Sequence, residues 1–298
     1  MQNKFTHRPV MLEEVLTLLN LKNGMTVVDA TIGAGGHAME IVKKISPRGQ
    51  LIGIDRDNET LEIAKQKLNE YNSQCKFIHD NFSNIDQILA FLKIKHIDAV
   101  MLDLGVSSIQ LDDPARGFSF VNEGPLDMRM NKDNSISAFD LVNKLSQKEI
   151  AAILWKFGQE RFSNRIAKRI IMRRNQSVIN TTTELANLVS KALPYSQRRY
   201  RIHPATRTFQ AIRIAVNQEL ESLEIFLEKI SKFMNRNGRI CIISFHSLED
   251  RIAKINFRNL AKTKQFKLIV KKPLIPKDEE TRTNPRSRSA KLRVLEKI

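Results

Sequence analysis

A glycine-rich turn lies between two short apolar runs near the start of the chain. Residues 26–30 are mostly apolar and β-branched, and they predict a buried strand. The turn that follows contains Gly33, Gly35, Gly36 and His37, and an apolar periodicity typical of a helix comes next. Glycines at such a turn let the backbone approach a ligand closely and leave the first N–H groups of the helix free.

A carboxylate follows the second apolar run of the same unit. Residues 51–54 predict another buried strand, and Asp55 comes directly after it. A carboxylate about 20 residues beyond a glycine turn accepts both hydroxyls of a ribose. The turn and Asp55 therefore predict a βαβ unit that holds an adenosine-containing cofactor.

Two classes of cofactor are compatible with this unit. The spacing Gly33-x-Gly35-x-x-Ala38 satisfies the dinucleotide fingerprint, so an NAD-dependent oxidoreductase stays open. Asp29 precedes the turn, where a carboxylate repels a pyrophosphate but suits the cationic amino-acid end of S-adenosylmethionine. His37 also places an imidazole where a pyrophosphate needs room. These two residues favour a methyltransferase.

The positive charge of the chain is concentrated in two blocks. The net charge is +17, and residues 144–213 carry 15 Lys and Arg against 3 Glu. Residues 251–298 carry 15 against 4 acidic residues, while the rest of the chain is slightly acidic. Two basic blocks beside an acidic core predict a polyanionic partner. Because only 6% of the residues are aromatic, we expect structured nucleic acid rather than a long single strand.

Several other classes of protein are not indicated. No apolar run reaches 18 residues and residues 1–8 lack a signal-peptide core, so we expect a cytoplasmic protein with no membrane segment. Cys75 and Cys241 lie in strand-like runs, which predicts buried free thiols. The six histidines lack the spacing of metal ligands, and we predict no metal site.

Five further apolar runs complete a predicted sheet. The first two, residues 75–79 and 97–102, are followed by a polar loop with Phe82 and by Asp103, and these loops should line the ligand crevice. Phe82 either stacks on an adenine ring or staples the next helix, and both interpretations stay open. The last three runs are residues 239–244, 266–270 and 290–295, and we expect the final one to pair antiparallel. Seven such strands are the layout of the Rossmann-like class I methyltransferases.

A helical segment interrupts this pattern. Residues 137–193 have helical periodicity, with capping boxes at residues 146–149 and 181–184. A single long helix is expected after residue 210, running to about Met234, with Asn237-Gly238 as the signal that ends it. We predict an α/β sheet domain formed by residues 1–112 and 207–298 and an inserted, small, mostly helical and basic domain formed by residues 113–206.

Six long motifs resemble one family over essentially the whole chain. In chain order they are residues 103–112, 116–120, 124–130, 203–210, 244–251 and 284–291. With these motifs the chain closely resembles the RsmH (MraW) family of bacterial small-subunit (16S) ribosomal RNA cytosine-N4-methyltransferases. The resemblance implies an S-adenosylmethionine-dependent enzyme that methylates the exocyclic amine of one decoding-centre cytidine. The implied partner is 16S rRNA or the small ribosomal subunit. The oligomeric state stays open, a dimer included, and so does a non-enzymatic ribosome-binding role.

The resemblance also implies which residues contact the cofactor. Carried over position by position, they are Gly35, Gly36, His37, Asp55, Phe82, Asp103 and Gln110. Asp103 is in addition the candidate catalytic residue, because it either accepts the amine proton or binds the amino group of the cofactor. The family carry-over favours the second role. The run Asp103-Leu104-Gly105-Val106 differs from the Asn/Asp-Pro-Pro-aromatic run of many amine methylases. The sequence therefore leaves open which residues hold the target base.

Overall fold

The computed structural model of the protein describes residues 9–194 and 203–298. Residues 1–8, on which the expectation of no export signal rests, lie outside the described residues, as do residues 195–202 of the predicted insert. No helix in the described ranges combines the length and the apolar character needed to cross a bilayer.

One seven-stranded sheet dominates the first half of the chain and its C-terminal part. The strands are β1 (Thr26–Asp29), β2 (Gln50–Asp55), β3 (Cys75–His79), β4 (Ile97–Asp103), β5 (Met234–Ser244), β6 (Phe266–Leu268) and β7 (Lys291–Lys297). The helices are α1 (Leu12–Leu19), α2 (Gly36–Ile45), α3 (Asn58–Lys67), α4 (Ile85–Phe91), α5 (Ser108–Asp112), α6 (Ala138–Lys144), α7 (Gln147–Gly158), α8 (Ser163–Arg174), α9 (Thr182–Ala192), α10 (Thr206–Asn217), α11 (Glu219–Ile230), α12 (Ser247–Lys262) and α13 (Asp278–Thr283).

The strand order confirms the predicted fold class. The order is β3-β2-β1-β4-β5-β7-β6, and β1 to β5 pair in parallel. β7 runs antiparallel to both β5 and β6, as expected for the final run. Both faces of the central strands are buried, with Val28 and Val100 in one hydrophobic cluster and Val27 and Ala99 in another. Strands covered on both sides need continuous apolar runs, which is why the sequence predicted them well.

The chain divides into two units whose boundaries differ from the predicted ones. The first unit comprises the chain up to Gly105 together with Leu220–Ile298, and the second comprises Val106–Glu219. The predicted insert, residues 113–206, therefore lies wholly inside the second unit. The difference arises because α10 packs on α7. A Cβ added to Gly158 would come within 2.6 Å of the carbonyl oxygen of Arg207, so the two helices are in close contact.

The expectation of a single long helix after residue 210 is wrong. The chain forms α10 and α11, which are separated at Gln218, where φ is 49°. Asn217 causes the break locally, because its buried carboxamide accepts the Met130 N–H at 2.7 Å and donates to the Met128 carbonyl at 2.8 Å. The predicted helix end at Asn237-Gly238 is wrong too, since both residues lie within β5.

The second unit has its own helical core. Leu154, Ile166, Ile170 and Leu185 are among its fully buried residues. The predicted capping box of α7 is confirmed: Ser146 and Glu149 satisfy each other's backbone N–H groups. At α9 only half of the predicted box forms, because Thr181 accepts the Glu184 N–H while the Glu184 carboxylate accepts the Asn180 N–H. Cys75 and Cys241, both in the first unit, are buried free thiols as expected.

Candidate cofactor-binding site

Three aspartates lie at one edge of the sheet in the first unit. β1 pairs in parallel with β2 and with β4, and the register places Asp29 opposite Gly53 and Met101. Asp29, Asp55 and Asp103 therefore end neighbouring parallel strands at their carboxyl ends. Loops at this edge of an open α/β sheet form the ligand crevice.

The glycine turn lies directly above these strand ends. The Gly33 N–H donates to Asp55 Oδ2 at 2.8 Å, so the turn and the second strand are tied together. Gly35 caps α2 with φ of 74°, a conformation that favours glycine. A Cβ on Gly36 would lie 2.8 Å from Pro9 Cγ, so the N-terminal segment packs against the turn. No side chain caps the first turn of α2.

His37 joins the N-terminal segment to the end of β4. Its side chain is buried, and Nε2 donates to the Val10 carbonyl at 2.9 Å. Nδ1 lies 3.7 Å from Asp103 Oδ2. Two of the residues predicted from the sequence, His37 and Asp103, are therefore brought together by the fold.

Asp103 holds a carboxylate oxygen for which the described residues offer no hydrogen bond. Its Oδ1 atom is buried and unpaired within the described ranges, although the side chain as a whole keeps 22% of its surface exposed. Its backbone N–H donates to Thr31 Oγ1 at 2.7 Å, which fixes the strand end against the turn. Burial, together with the charges of Asp29 and Glu249, raises the pKa of Asp103 to about 8.

The other two aspartates are also hard to ionise in the ligand-free protein. Burial and, to a smaller extent, the charge of Asp55 raise the pKa of Asp29 to about 7, against the hydrogen bond from the Thr31 N–H. Burial raises the pKa of Asp55 to about 6, against hydrogen bonds from the Asp57 and Gly33 N–H groups. Carboxylates that raise one another's pKa create a strong preference for a cationic ligand and oppose a pyrophosphate.

Asp55 keeps acceptor capacity beside the turn. Oδ2 accepts the Gly33 N–H, and Oδ1 accepts the Asp57 N–H at 2.9 Å. A carboxylate has about four lone-pair sites, so each oxygen can accept one more hydrogen bond. The predicted ribose contact is compatible with this geometry.

Phe82 packs into the protein rather than standing in an open crevice. Its side chain is 7% exposed and belongs to a hydrophobic cluster of the first unit. The ring meets the Phe226 ring edge-on at a centroid distance of 5.5 Å, and the Arg56 guanidinium lies 5.4 Å from its centroid. These contacts support the packing interpretation, and a contact with adenine stays a prediction.

Gln110 belongs to the second unit, whereas the other predicted residues belong to the first. Its Oε1 atom accepts the Ser107 N–H at 2.9 Å and its own N–H donates to Ser107 Oγ, which forms the capping box of α5. Gln110 therefore has a structural role in shaping the loop after β4. Its predicted contact with the cofactor stays a prediction.

Glu249 is a site residue that sequence reasoning missed. It is 2% exposed, its Oε2 atom accepts the Phe245 N–H at 2.8 Å, and its charge raises the pKa of Asp103. His246 caps α12, and Glu249 pairs with it in a capping box. The only signal for Glu249 in the sequence was a carboxylate shortly after a buried strand.

Comparisons with known proteins agree with one another. The model of the MraW methylase family matches residues 4–298. The chain is 46% identical to the ribosomal RNA small subunit methyltransferase H of Clostridium botulinum, over 99% of this chain and 100% of the relative. It is 47% identical to the protein of the same name from Halothermothrix orenii, over 98% of each chain. A solved rRNA methylase from Streptococcus thermophilus is 13% identical over 99% of each chain with a TM-score of 0.44, which does not bear on the activity.

Proposed function

The chain belongs to the MraW methylase family, and we propose that it transfers the methyl group of S-adenosylmethionine to the exocyclic N4 amine of one cytidine in the decoding centre of 16S rRNA. The relatives are named as methyltransferases of the small-subunit ribosomal RNA. The substrate is the RNA itself or the small ribosomal subunit, and the reaction takes place in the cytoplasm.

The carboxylate cluster carries this proposal. S-adenosylmethionine has a sulfonium and an ammonium group, and the site presents the buried carboxylate of Asp29 and the partly exposed carboxylate of Asp103. The unpaired Oδ1 of Asp103 suits the ammonium group. Asp55 suits the ribose hydroxyls, because each of its oxygens can accept one more hydrogen bond. A pyrophosphate would find no cationic partner among these three carboxyl groups, so these residues do not suit NAD.

Positioning supplies most of the rate acceleration in this chemistry. The bound cofactor supplies an electrophilic methyl group on a good leaving group, and in-line displacement then depends on alignment. The cytosine amine is a weak nucleophile because its lone pair is delocalised into the ring. An acceptor for its N–H localises that pair, and ionised Asp103 is suited to accept or orient it. The base must also leave any stack to reach the site.

The second unit is proposed to bind the RNA substrate. α8 carries four arginines, which are Arg165, Arg169, Arg173 and Arg174. Arg165 and Arg169 are exposed in the structure. Arg173 pairs with Glu184, and Arg174 donates to the Val142 carbonyl at 2.8 Å. Arg173 and Arg174 therefore stabilise the unit, and we assign the RNA contacts to the exposed Arg165 and Arg169.

Two measurements test the proposed function. Titration calorimetry should show binding of S-adenosylmethionine and no binding of NAD. Transfer of labelled methyl groups should then be compared on free 16S rRNA, immature small subunits and whole small subunits, with nucleoside analysis of the product. We expect N4-methylcytidine from at least one of the three. Tight NAD binding without S-adenosylmethionine binding, or a methylated product other than N4-methylcytidine, contradicts the proposal.

A further inference from the structure

The end of the α7–α8 helical hairpin exposes an unusual combination of side chains. α7 ends at Gly158 and the chain turns at Gln159, where φ is 49°. The Gln159 N–H donates to the Trp155 carbonyl at 3.1 Å and the Glu160 N–H donates to the Leu154 carbonyl at 3.2 Å, so Trp155 lies in the last turn of α7. α8 begins at Ser163. The end of α7 and the start of α8 therefore share one end of the hairpin.

The outer side of α8 carries an uninterrupted row of cations. The opposite side of α8 faces the core of the unit, because Ile166, Ala167 and Ile170 are buried. Arg165, Lys168 and Arg169 are exposed, at the three- and four-residue spacing that aligns side chains on one helix face. None of the three makes an ion pair with any residue in the ranges 9–194 and 203–298.

The fold removes the acid that would otherwise neutralise this row. Between residues 156 and 174 the sequence contains one acidic residue, Glu160. That side chain is only 4% exposed, and its Oε1 atom accepts the Phe162 N–H at 2.9 Å. Arg161, next to it, is exposed. The turn thus hides its carboxylate and presents its cation.

Trp155 adds an aromatic surface at the same end of the hairpin. It is the only tryptophan of the chain, and its side chain is 61% exposed. A large aromatic side chain exposed among unpaired cations matches the composition of surfaces that bind RNA strands, where cations contact phosphates and the ring stacks on a base.

We propose that this hairpin face, defined by Trp155, Arg161, Arg165, Lys168 and Arg169, binds an unpaired strand of the RNA substrate, with the cations on phosphates and Trp155 stacked on a base. The inference rests on the proposed RNA substrate and names the surface that holds it. Arg173 and Arg174 are excluded from this face because their guanidinium groups serve contacts within the unit.

The first experiment uses Trp155 as its own reporter. The probe is an unmodified transcript of small-subunit ribosomal RNA, titrated into the full-length protein while tryptophan emission is recorded. We expect quenching that saturates with RNA and reverses at high salt. Emission that stays unchanged while an independent filter assay shows binding overturns the inference.

The second experiment distinguishes the contribution of these three cations to RNA binding from the general effect of net charge. The triple variant Arg165→Gln, Lys168→Gln, Arg169→Gln should bind the transcript about tenfold or more weakly near 0.15 M salt, and its slope of log K against log salt should shrink by about two to three. The control is Lys43→Gln, Lys65→Gln, Lys144→Gln. These lysines lose the same charge but already pair with Glu40, Glu62 and Asp140. If RNA binding weakens equally in both triple variants, the inference is overturned. An unchanged affinity of each variant for S-adenosylmethionine verifies that it is folded.

The third experiment tests stacking. Trp155→Ala should weaken binding about tenfold with the salt slope unchanged, and Trp155→Phe should restore most of the affinity. Weaker binding to assembled subunits with normal binding to free RNA would indicate a protein contact and overturn the inference.

The proposed methylation is measured separately. RNA binding with no methyl transfer would contradict the proposed function alone, whereas normal kcat/KM of the cation variant for RNA would contradict this inference alone.

Discussion

Three aspartates with different surroundings define the chemistry at the scale of single residues. Asp55 is held by two backbone N–H groups, Asp29 by one, and the Oδ1 atom of Asp103 by none within the described residues. The pKa values follow the same order, at about 6, 7 and 8. Hydrogen bonds to the ionised form oppose the cost of burial, so the least bonded carboxylate is the one that most needs a cationic partner.

Asp103→Asn distinguishes the two roles of that residue. The substitution keeps the shape and removes the charge, so we expect weaker S-adenosylmethionine binding and a rate at saturating cofactor that largely recovers. Steady-state kinetics with RNA at several cofactor concentrations gives both quantities. Asp86→Asn is the control, because Asp86 lies on the surface of the same unit and pairs with Lys229. A rate loss of about 100-fold at saturating cofactor would instead make Asp103 the proton acceptor.

Asp55→Ala tests the ribose contact. Removing a charge-assisted acceptor from a buried hydroxyl should weaken S-adenosylmethionine binding by about 1–3 kcal/mol. Calorimetry measures the dissociation constant. Asp55→Asn, which retains an acceptor oxygen, should lose less affinity than the alanine variant. An unchanged dissociation constant in Asp55→Ala would remove Asp55 from the site.

The raised pKa values predict how pH acts on the protein. Burial gives Asp29 and Asp103 pKa values of about 7 and about 8, well above the 3.8 of an unperturbed aspartate. Their contribution to stability is therefore present below about pH 4 and is lost as pH rises toward 8. A cationic cofactor favours the ionised forms, so its affinity should increase from pH 6 to 8 with release of protons. Calorimetry at pH 7 in two buffers of different ionisation enthalpy measures that release, and proton uptake would contradict it.

At the scale of secondary structure, the break between α10 and α11 is the feature that sets the boundary between the units. Gln218 adopts a left-handed conformation between the two helices. Asn217 bridges to the backbone of Met128 and Met130, which belong to the irregular segment before α6. One amide side chain therefore ends a helix and anchors a long loop.

Asn217→Leu should destabilise the protein by about 1–3 kcal/mol, because it leaves two buried backbone groups without partners. Denaturant unfolding measures the free energy. Gln218→Gly is the matched control, since it changes the neighbouring exposed residue at a φ that glycine adopts freely, and it should be neutral or slightly stabilising. Equal stability of Asn217→Leu and the wild type would show that the loop finds other partners.

At the scale of the whole molecule, charge is divided between two tasks. The first unit buries carboxylates at one sheet edge, whereas the second exposes unpaired cations on α8. A net charge of +17 therefore coexists with a candidate site that is locally acidic. This division suits an enzyme whose cofactor is cationic and whose substrate is a polyanion.

The sequence alone determined the sheet, the glycine turn and the positions of Asp55 and Asp103, because those signals are local: apolar runs, glycines and strand ends follow each other along the chain. The tertiary structure decided the rest. It brought Glu249 near Asp103, turned Glu160 inward, engaged Arg173 and Arg174 in contacts of their own unit and broke the predicted long helix at Gln218. Each of these outcomes depends on a partner distant in sequence or on which side of an element faces the core, and a pattern of residue types along one chain specifies neither.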